Sequence, residues 1–326
     1  MRLPDFPARI VAAIVFACAA GAGHAQDKPA DYPLRPIRFV VGVAPGAGND
    51  TITRAAAQML NDRWGQTVVV DNRSGGGTVI AAELGAQAVP DGYTILSATD
   101  TLMLLGALKR VAFDVRKAFE PIVGMTTQPY VLVIDPALPV ASIKDLVAYS
   151  KAKPLSYGSS GVGTTVHLGM ERLAALTGAH FAHVPYKGTA PALIGVMSGE
   201  VHMVPASAIS GAAAMKTGKV RALAVMGLKR VAAFPDLPTV AEAGLPGFKI
   251  VNSYNLFAPA GTPRPVILAI NRVVSAGMNA PQMVQKLAAD GSEPVERMTP
   301  DEFKAQFARD YAEAEKQARH ANIKFY

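Results

Sequence analysis

Apolar residues along the chain follow two alternating rhythms: short β-branched runs, and longer stretches with apolar positions three and four apart. The run at residues 37–43 reads as a buried strand. After it, Ile52, Ala55, Ala56, Met59 and Leu60 recur at helical spacing, with Asp50 expected as N-cap and Gly65 as the stop. The design returns at Tyr157. A Gly-rich loop there leads to Thr164 or Thr165 as N-cap, then Met170, Leu173 and Ala174 on one face and Gly178 as the stop.

Further strands are expected at 67–70, 93–97, 131–134, 182–184, 201–205 and 221–226, with helices at 78–88, after Ser142, at 190–198 and at 210–217. This alternation predicts an α/β fold with parallel sheets and right-handed crossovers. Thr239 to Glu242 and Thr299 to Glu302 have the form of capping boxes, so helices are expected to start at both. Residues 264–316 read as helical throughout. The order implies a first domain left near residue 127, a second complete by about 252, and a return to the first. A chain that crosses twice makes a two-strand hinge around a cleft, and open α/β sheets place ligands outside the carboxyl ends of their strands.

The N-terminus changes this picture by adding an export signal. Arg2 and Arg9 precede an apolar run from Ile10 to Ala22, and Gly23-His24-Ala25 ends in a small-x-small cleavage pattern. The run is shorter than the roughly 20 residues a membrane span needs. A lipid anchor at Cys18 is disfavoured by the bulk of Phe16. Cleavage after Ala25 would remove the only cysteine of the 326 residues, leaving a chain suited to an oxidising compartment. The net charge of +7 favours anionic ligands or an acidic partner, although scattered surface Lys and Arg explain it as well. No basic run interleaved with aromatics points to nucleic acid.

The two Gly-rich loops carry the candidate chemistry. Gly46-Ala47-Gly48 runs on to Thr51, and Gly161-Val162-Gly163 runs on to Val166, so neither completes a dinucleotide fingerprint; the Gly-Lys-Ser/Thr of a phosphate-binding loop is absent. Gly158-Ser159-Ser160-Gly161-Val162 approaches a nucleophile elbow, but Val162 replaces its second glycine. A hydrolase built on Ser160 is therefore a minor alternative. The histidines show no metal-binding spacing, and His167 with Glu171 reads as an ordinary pair one helical turn apart. What the loops offer is main-chain N–H groups and small hydroxyls at two helix N-termini, each carrying about half a positive charge. Facing each other, two such tips form a clamp for an anion. No cofactor and no metal are expected.

A series of motifs carries a resemblance: Tyr32-Pro33-x-Arg35-Pro36-Ile37 with Ala44-Pro45-Gly46, Asn72-Arg73, Pro90-Asp91-Gly92-Tyr93-Thr94, Tyr157-Gly158-Ser159-Ser160-Gly161, His183-Val184-Pro185-Tyr186-Lys187-Gly188, Pro238-Thr239-Val240-Ala241-Glu242-Ala243-Gly244 and Ala258-Pro259-Ala260-Gly261-Thr262-Pro263. From Tyr32 onward the chain resembles the Bug-type periplasmic solute receptors of tripartite tricarboxylate transporters. The resemblance implies a two-lobed, type 2 periplasmic-binding-protein fold, with a signal peptide at 1–25, one lobe from 26–127 and 253–326, and the other from 128–252. It implies a small carboxylate or related metabolite in the cleft and an inner-membrane permease as partner, without catalysis; an orphan receptor serving a sensor is the alternative. Carried over by position, Gly46, Ala47, Gly48, Asn49 and Asp50 would contact the ligand from one lobe. Ser159, Ser160, Gly163, Thr164 and Thr165 would do so from the other, with Thr99 and Ser207 as accessory contacts. The chain departs from the family pattern at Leu104-Leu105-Gly106, at Tyr254, where a Trp is common, and at Asp100, an unusual acid that would meet a ligand ammonium, disfavour a second carboxylate, or point to solvent.

Overall fold

The computed structural model describes residues 28–289 and 291–320, so the expected signal peptide lies outside the described residues. Chain order gives β1 (Ile37–Val41), α1 (Gly48–Trp64), β2 (Val68–Asn72), α2 (Val79–Ala86), β3 (Thr94–Thr99), α3 (Thr101–Ala107), α4 (Val115–Ala118) and the 16-residue β4 (Phe119–Ile134). Then come α5 (Ile143–Ala152), β5 (Leu155–Ser159), α6 (Thr165–Thr177), β6 (Phe181–Pro185), α7 (Thr189–Met197), β7 (Met203–Ser207), α8 (Ala208–Met215) and β8 (Arg221–Val225). The chain ends with β9 (Val251–Pro259), α9 (Arg264–Met278), α10 (Pro281–Ala289), β10 (Glu293–Pro294) and α11 (Pro300–His320). Among the described residues no helix is long and apolar enough to cross a membrane.

The strands lie in the order β2-β1-β3-β9-β4-β7-β5-β6, with β8 and β10 also paired to β4. β1, β2 and β3 are parallel, as are β5, β6 and β7, which matches the βα alternation of the sequence. β4 and β9 instead run antiparallel to their neighbours, so the sheets are mixed rather than purely parallel. The reason is connectivity: β9 enters the first sheet from the second lobe and runs alongside β4 in the reverse direction. The first part of β4, to Pro129, pairs with β9, and Tyr130–Ile134 pairs with β7 and β8. The chain thus passes between the lobes at Pro129-Tyr130 and again at Ile250-Val251. These crossings are tied by bonds from the Tyr130 N–H to the Ile250 carbonyl (3.1 Å) and from the Met226 N–H to the Tyr130 carbonyl (2.7 Å).

Each sheet is covered on both faces, which is why its strands read as nearly continuous apolar runs. Successive side chains point to opposite faces: Phe39 and Ile95 join Ile52, Leu60, Ile267 and Ile270 beneath α1 and α9, while Val40 and Leu96 join Leu105, Phe257, Phe303 and Phe307 beneath α2, α3 and α11. In the second lobe Leu132 and Ile134 pack with Leu146, Tyr157 and Met170, whereas Val131 and Val133 pack with Leu193, Val196 and Val204.

Several local expectations are corrected. Asp50 is not the N-cap of α1; Ala47 holds that place, and Asp50 lies in the first turn. The Thr239 capping box forms, with its N–H bonded to Glu242 Oε2 at 2.7 Å and the Glu242 N–H to Thr239 Oγ1 at 3.0 Å, but it closes a single turn. Gly244, at φ +107, and the following Pro246 stop any helix there. The C-terminal stretch is not one helical run: Asn279 caps α9, and Gly291, at φ +72, lets β10 join β4 before the Thr299 box opens α11. Leu132 is fully buried in the strand both lobes share. Leu132→Ala is expected to lower the free energy of urea unfolding by about 2–5 kcal/mol; a loss below about 1 kcal/mol would contradict this account of the core.

Candidate functional site

Where β1, β3, β6 and β7 end, α1, α3, α7 and α8 begin, and residues at these ends, with Ser160 just after β5, wall a narrow pocket between the lobes. Its lining includes Val43, Ala47, Gly48, Asn49, Thr78, Thr99 and Thr101 from the first lobe, Ser160, Thr189 and Ser207 from the second, and Tyr130, Asn252 and Tyr254 from the crossing strands. None of these side chains carries a charge.

The first-lobe wall is built around a helix tip without a cap. Ala47 has no side-chain acceptor, and the main-chain N–H groups of Gly48 and Asn49 donate to no other group among the described residues. The two polar side chains of the first turn, Asn49 and Asp50, are tied elsewhere. The Asn49 amide donates to the Ser97 carbonyl at 3.2 Å and accepts from Ser97 Oγ at 3.1 Å. The Asp50 carboxylate accepts from the Gly46 N–H (3.0 Å), Arg54 Nε (3.0 Å) and Asn72 Nδ2 (2.9 Å). Burial alone would raise the Asp50 pKa, but the bonds from Arg54, Gly46 and Asn72 outweigh it and hold the group below its ordinary value. Asp50 is therefore an anion neutralised inside its own lobe, and Gly46 has spent its donor on it.

The second-lobe wall differs from the expected one. Ser160 and Ser207 face the pocket, but Ser159, Gly163, Thr164 and Thr165 are not among its lining residues. The tip of α6 is satisfied internally. Thr164 Oγ1 caps it by accepting from the His167 N–H, the Gly163 N–H donates to His167 Nδ1 at 3.0 Å, and the Thr165 N–H reaches Thr101 Oγ1 of the other lobe at 3.4 Å. Ser159 is fully buried, with Oγ 2.6 Å from His183 Nε2. The open tip opposite α1 is that of α7: Gly188 caps it without a side chain, Thr189 lines the pocket, and Pro191 lacks a donor altogether. The sequence signal for this tip, a Gly-Thr-x-Pro start, was present, but the helix was expected to begin at 190.

The crossing strands supply the floor. The Tyr254 hydroxyl donates to Gln128 Oε1 at 3.0 Å, and Gln128 Nε2 donates to Ser292 Oγ at 2.6 Å. Asp100 is half-buried rather than free in solvent: its Oδ2 accepts from the Ser253 N–H at 3.0 Å, and burial, with Asp310 adding repulsion, pushes its carboxyl up to about 7.

Close main-chain approaches hold the lobes together. A side chain at Gly161 (φ +129) would begin 2.7 Å from the Gly77 Cα, and the Ala44 N–H donates to the Lys187 carbonyl at 3.1 Å. Any side chain at Gly48 would run into the Tyr254 hydroxyl, and into Ser207 Oγ across the pocket. Glycine there is what lets the α1 tip approach both.

Behind the second wall, the His167 and His183 rings stack with centroids 3.9 Å apart, and the Tyr157 ring stacks on His183 while its hydroxyl donates to Glu171 at 2.7 Å. His167 is not the exposed partner expected of it; it is buried, with Nε2 4.0 Å from Glu171. Desolvation, reinforced by the neighbouring His167, pulls the His183 pKa down to about 3, and desolvation lowers that of His167 as well.

Residues 52–321 match the family described as "Tripartite tricarboxylate transporter family receptor". Protein BugT of Bordetella pertussis is 34% identical over 300 residues, covering 89% of this chain and 90% of the relative. Rpa4515 of R. palustris, solved with adipate, superposes with a TM-score of 0.84 at 33% identity, covering 90% of this chain and 99% of that one. MatC of Rhodopseudomonas palustris, solved with bound malate, superposes with a TM-score of 0.82 at 27% identity, covering 88% of this chain and all of that one.

Two predictions follow from this geometry. Gly48→Ala is expected to fold, since alanine suits a helix, yet to weaken ligand binding at least tenfold, about 1.4 kcal/mol, by obstructing the approach of Tyr254 and Ser207; calorimetry giving an unchanged Kd would refute it. A histidine buried neutral binds protons less readily folded than unfolded, so its contribution is intact above about 6.5 and lost progressively as pH falls towards 3. His183→Gln should therefore flatten the fall in Tm between pH 6.5 and 5, and parallel wild-type and variant curves would count against it.

Proposed function

The chain belongs to the tripartite tricarboxylate transporter receptor family, and from that premise we propose a periplasmic receptor that closes on a small carboxylate and presents it to a membrane permease. Its family is one of receptors, not enzymes. The observation that carries the ligand class is the pair of free N–H groups on Gly48 and Asn49 at the α1 tip, facing the α7 tip and the Ser160 and Ser207 hydroxyls across a pocket without charged side chains. A carboxylate there gains roughly 0.3–1 kcal/mol from each helix tip, and up to about 2 where partly buried, besides charge-assisted hydrogen bonds. Adipate and malate in the two superposed receptors are the same class of ligand.

In this reading Ala47, Gly48, Asn49, Thr99, Ser160 and Ser207 contact the ligand, joined by Thr189. Gly46, Asp50, Ser159, Gly163, Thr164 and Thr165 shape the loops behind them. The two lobes meet at the crossings Pro129-Tyr130 and Ile250-Val251 and hinge on them. Closure is a population shift, so the ligand favours the shut form only by as much as it binds that form better.

A thermal-shift panel of three- to eight-carbon carboxylates, amino acids and neutral sugars tests this. At 100 times its Kd a ligand adds about 2.7 kcal/mol of stability. At least one carboxylate is expected to raise Tm, and Ser160→Ala or Thr189→Ala to weaken its binding by about tenfold. A response confined to the sugars would overturn the reading.

A further inference from the structure

Among the described residues, one that lines the pocket floor carries a buried polar atom without a partner. Asn252 is 5% exposed and lines the pocket, and its Oδ1 is buried without a hydrogen-bond partner. The orientation of the amide follows from its neighbours. Tyr254 has a single hydroxyl hydrogen and gives it to Gln128, whose own amide nitrogen is engaged by Ser292. Asn252 lowers the pKa of that phenol, the sense of an amide turned with its nitrogen toward the oxygen, and its carbonyl oxygen has no partner among the described residues. An acceptor shut into a pocket whose first wall offers only donors to an anion is chemically distinct from that wall. Buried polar groups in native structures have partners in the protein, in water or in a ligand.

We propose that Asn252 is a specificity-determining ligand contact whose carbonyl oxygen accepts a hydrogen bond from a hydroxyl on the bound carboxylate, so that the receptor selects hydroxy acids over their unsubstituted counterparts. The inference rests on the carboxylate reading above and adds the second functional group. The lining holds no charged side chain to compensate an ammonium, so a neutral hydroxyl is the donor we assign. A site built to hydrogen-bond a substrate hydroxyl rejects the analogue lacking it far more strongly than an apolar pocket rejects a missing methylene.

The test is calorimetry on the mature full-length protein with matched pairs: succinate and malate, glutarate and 2-hydroxyglutarate, butyrate and 3-hydroxybutyrate. In at least one pair the hydroxy acid is expected to bind at least tenfold more tightly. Asn252→Ala should bring the members of that pair within threefold by weakening the hydroxy acid alone, and Asn252→Ser should retain part of the preference. If unsubstituted acids bind as tightly as hydroxy acids, or if Asn252→Ala weakens both members equally, the role assigned to Asn252 is wrong while the carboxylate reading stands. If no member of any pair binds the wild type, the carboxylate reading fails and this inference falls with it. If the Ala variant does not fold, the Ser variant carries the comparison, and a wild type without a preference overturns the assignment by itself.

Discussion

The site depends on a helix that begins without a cap. A serine, threonine, asparagine or aspartate at the N-cap of α1 would accept from the first-turn donors and stabilise the helix by about 0.5–2 kcal/mol. This chain has Ala47 there, and commits its nearest acceptors, Asn49 and Asp50, to Ser97 and to Arg54, Asn72 and Gly46. The donors of Gly48 and Asn49 are thereby left without a partner among the described residues, which is what the proposed ligand would supply. α6 makes the opposite choice, since Thr164, His167 and Thr101 consume its tip, and the pocket correspondingly turns away from it toward α7. Two helices with similar Gly-rich entries thus have different roles, and the difference lies in where their side-chain acceptors point.

The second constraint is the sharing of strands. Because β4 serves both sheets and β9 lies antiparallel along it, the lobes are joined by continuous backbone rather than by a loose linker. Defined surfaces of the two lobes meet: Gly77 against Gly161, and Gly48 against Ser207, with Tyr254 of the crossing strand beside it. Each approach needs a residue without a Cβ, so the glycines specify how near the helix tip can come to the opposite wall. Placing the floor of the pocket on the crossing strands puts Tyr130, Asn252 and Tyr254 where a ligand touches the hinge itself.

Much of this was legible from residues alone, and the failures have physical causes. β1, the αL stop at Gly65, the Thr164 cap and the Gly178 stop follow local rules that a sequence displays, and they appear where those rules place them. Asp50 looked like a cap because its residue type prefers that position. The sequence does not display Arg54 one turn on, or Asn72 from β2, claiming its carboxylate. Thr239 shows that a capping box satisfies two donors without obliging a helix to follow when Gly244 and Pro246 are close behind. Thr189, Asn252 and Tyr254 reach the pocket only because non-adjacent strands of a mixed sheet end at the same place, and parallel alternation gives no sign of the antiparallel crossings that bring them there.

On the proposed reading, recognition of an anion by neutral groups has consequences for release. An arginine in a dry pocket would bind a carboxylate bidentately and strongly, but it would leave a desolvated charge behind when the ligand departed, a cost that grows as the lobes shut. Main-chain donors and hydroxyls carry only partial charge, so the same pocket can be emptied without stranding an ion. Here even the nearby formal charges are withdrawn: Asp50 is neutralised by Arg54, and burial raises Asp100 to about 7, against the Ser253 N–H. The grip on the ligand is then a sum of modest terms that exists only while both walls are in place. Opening one wall removes a large part of it at once, which is the property a receptor needs if it is to hold a solute in transit and surrender it on contact with a partner that favours the open form.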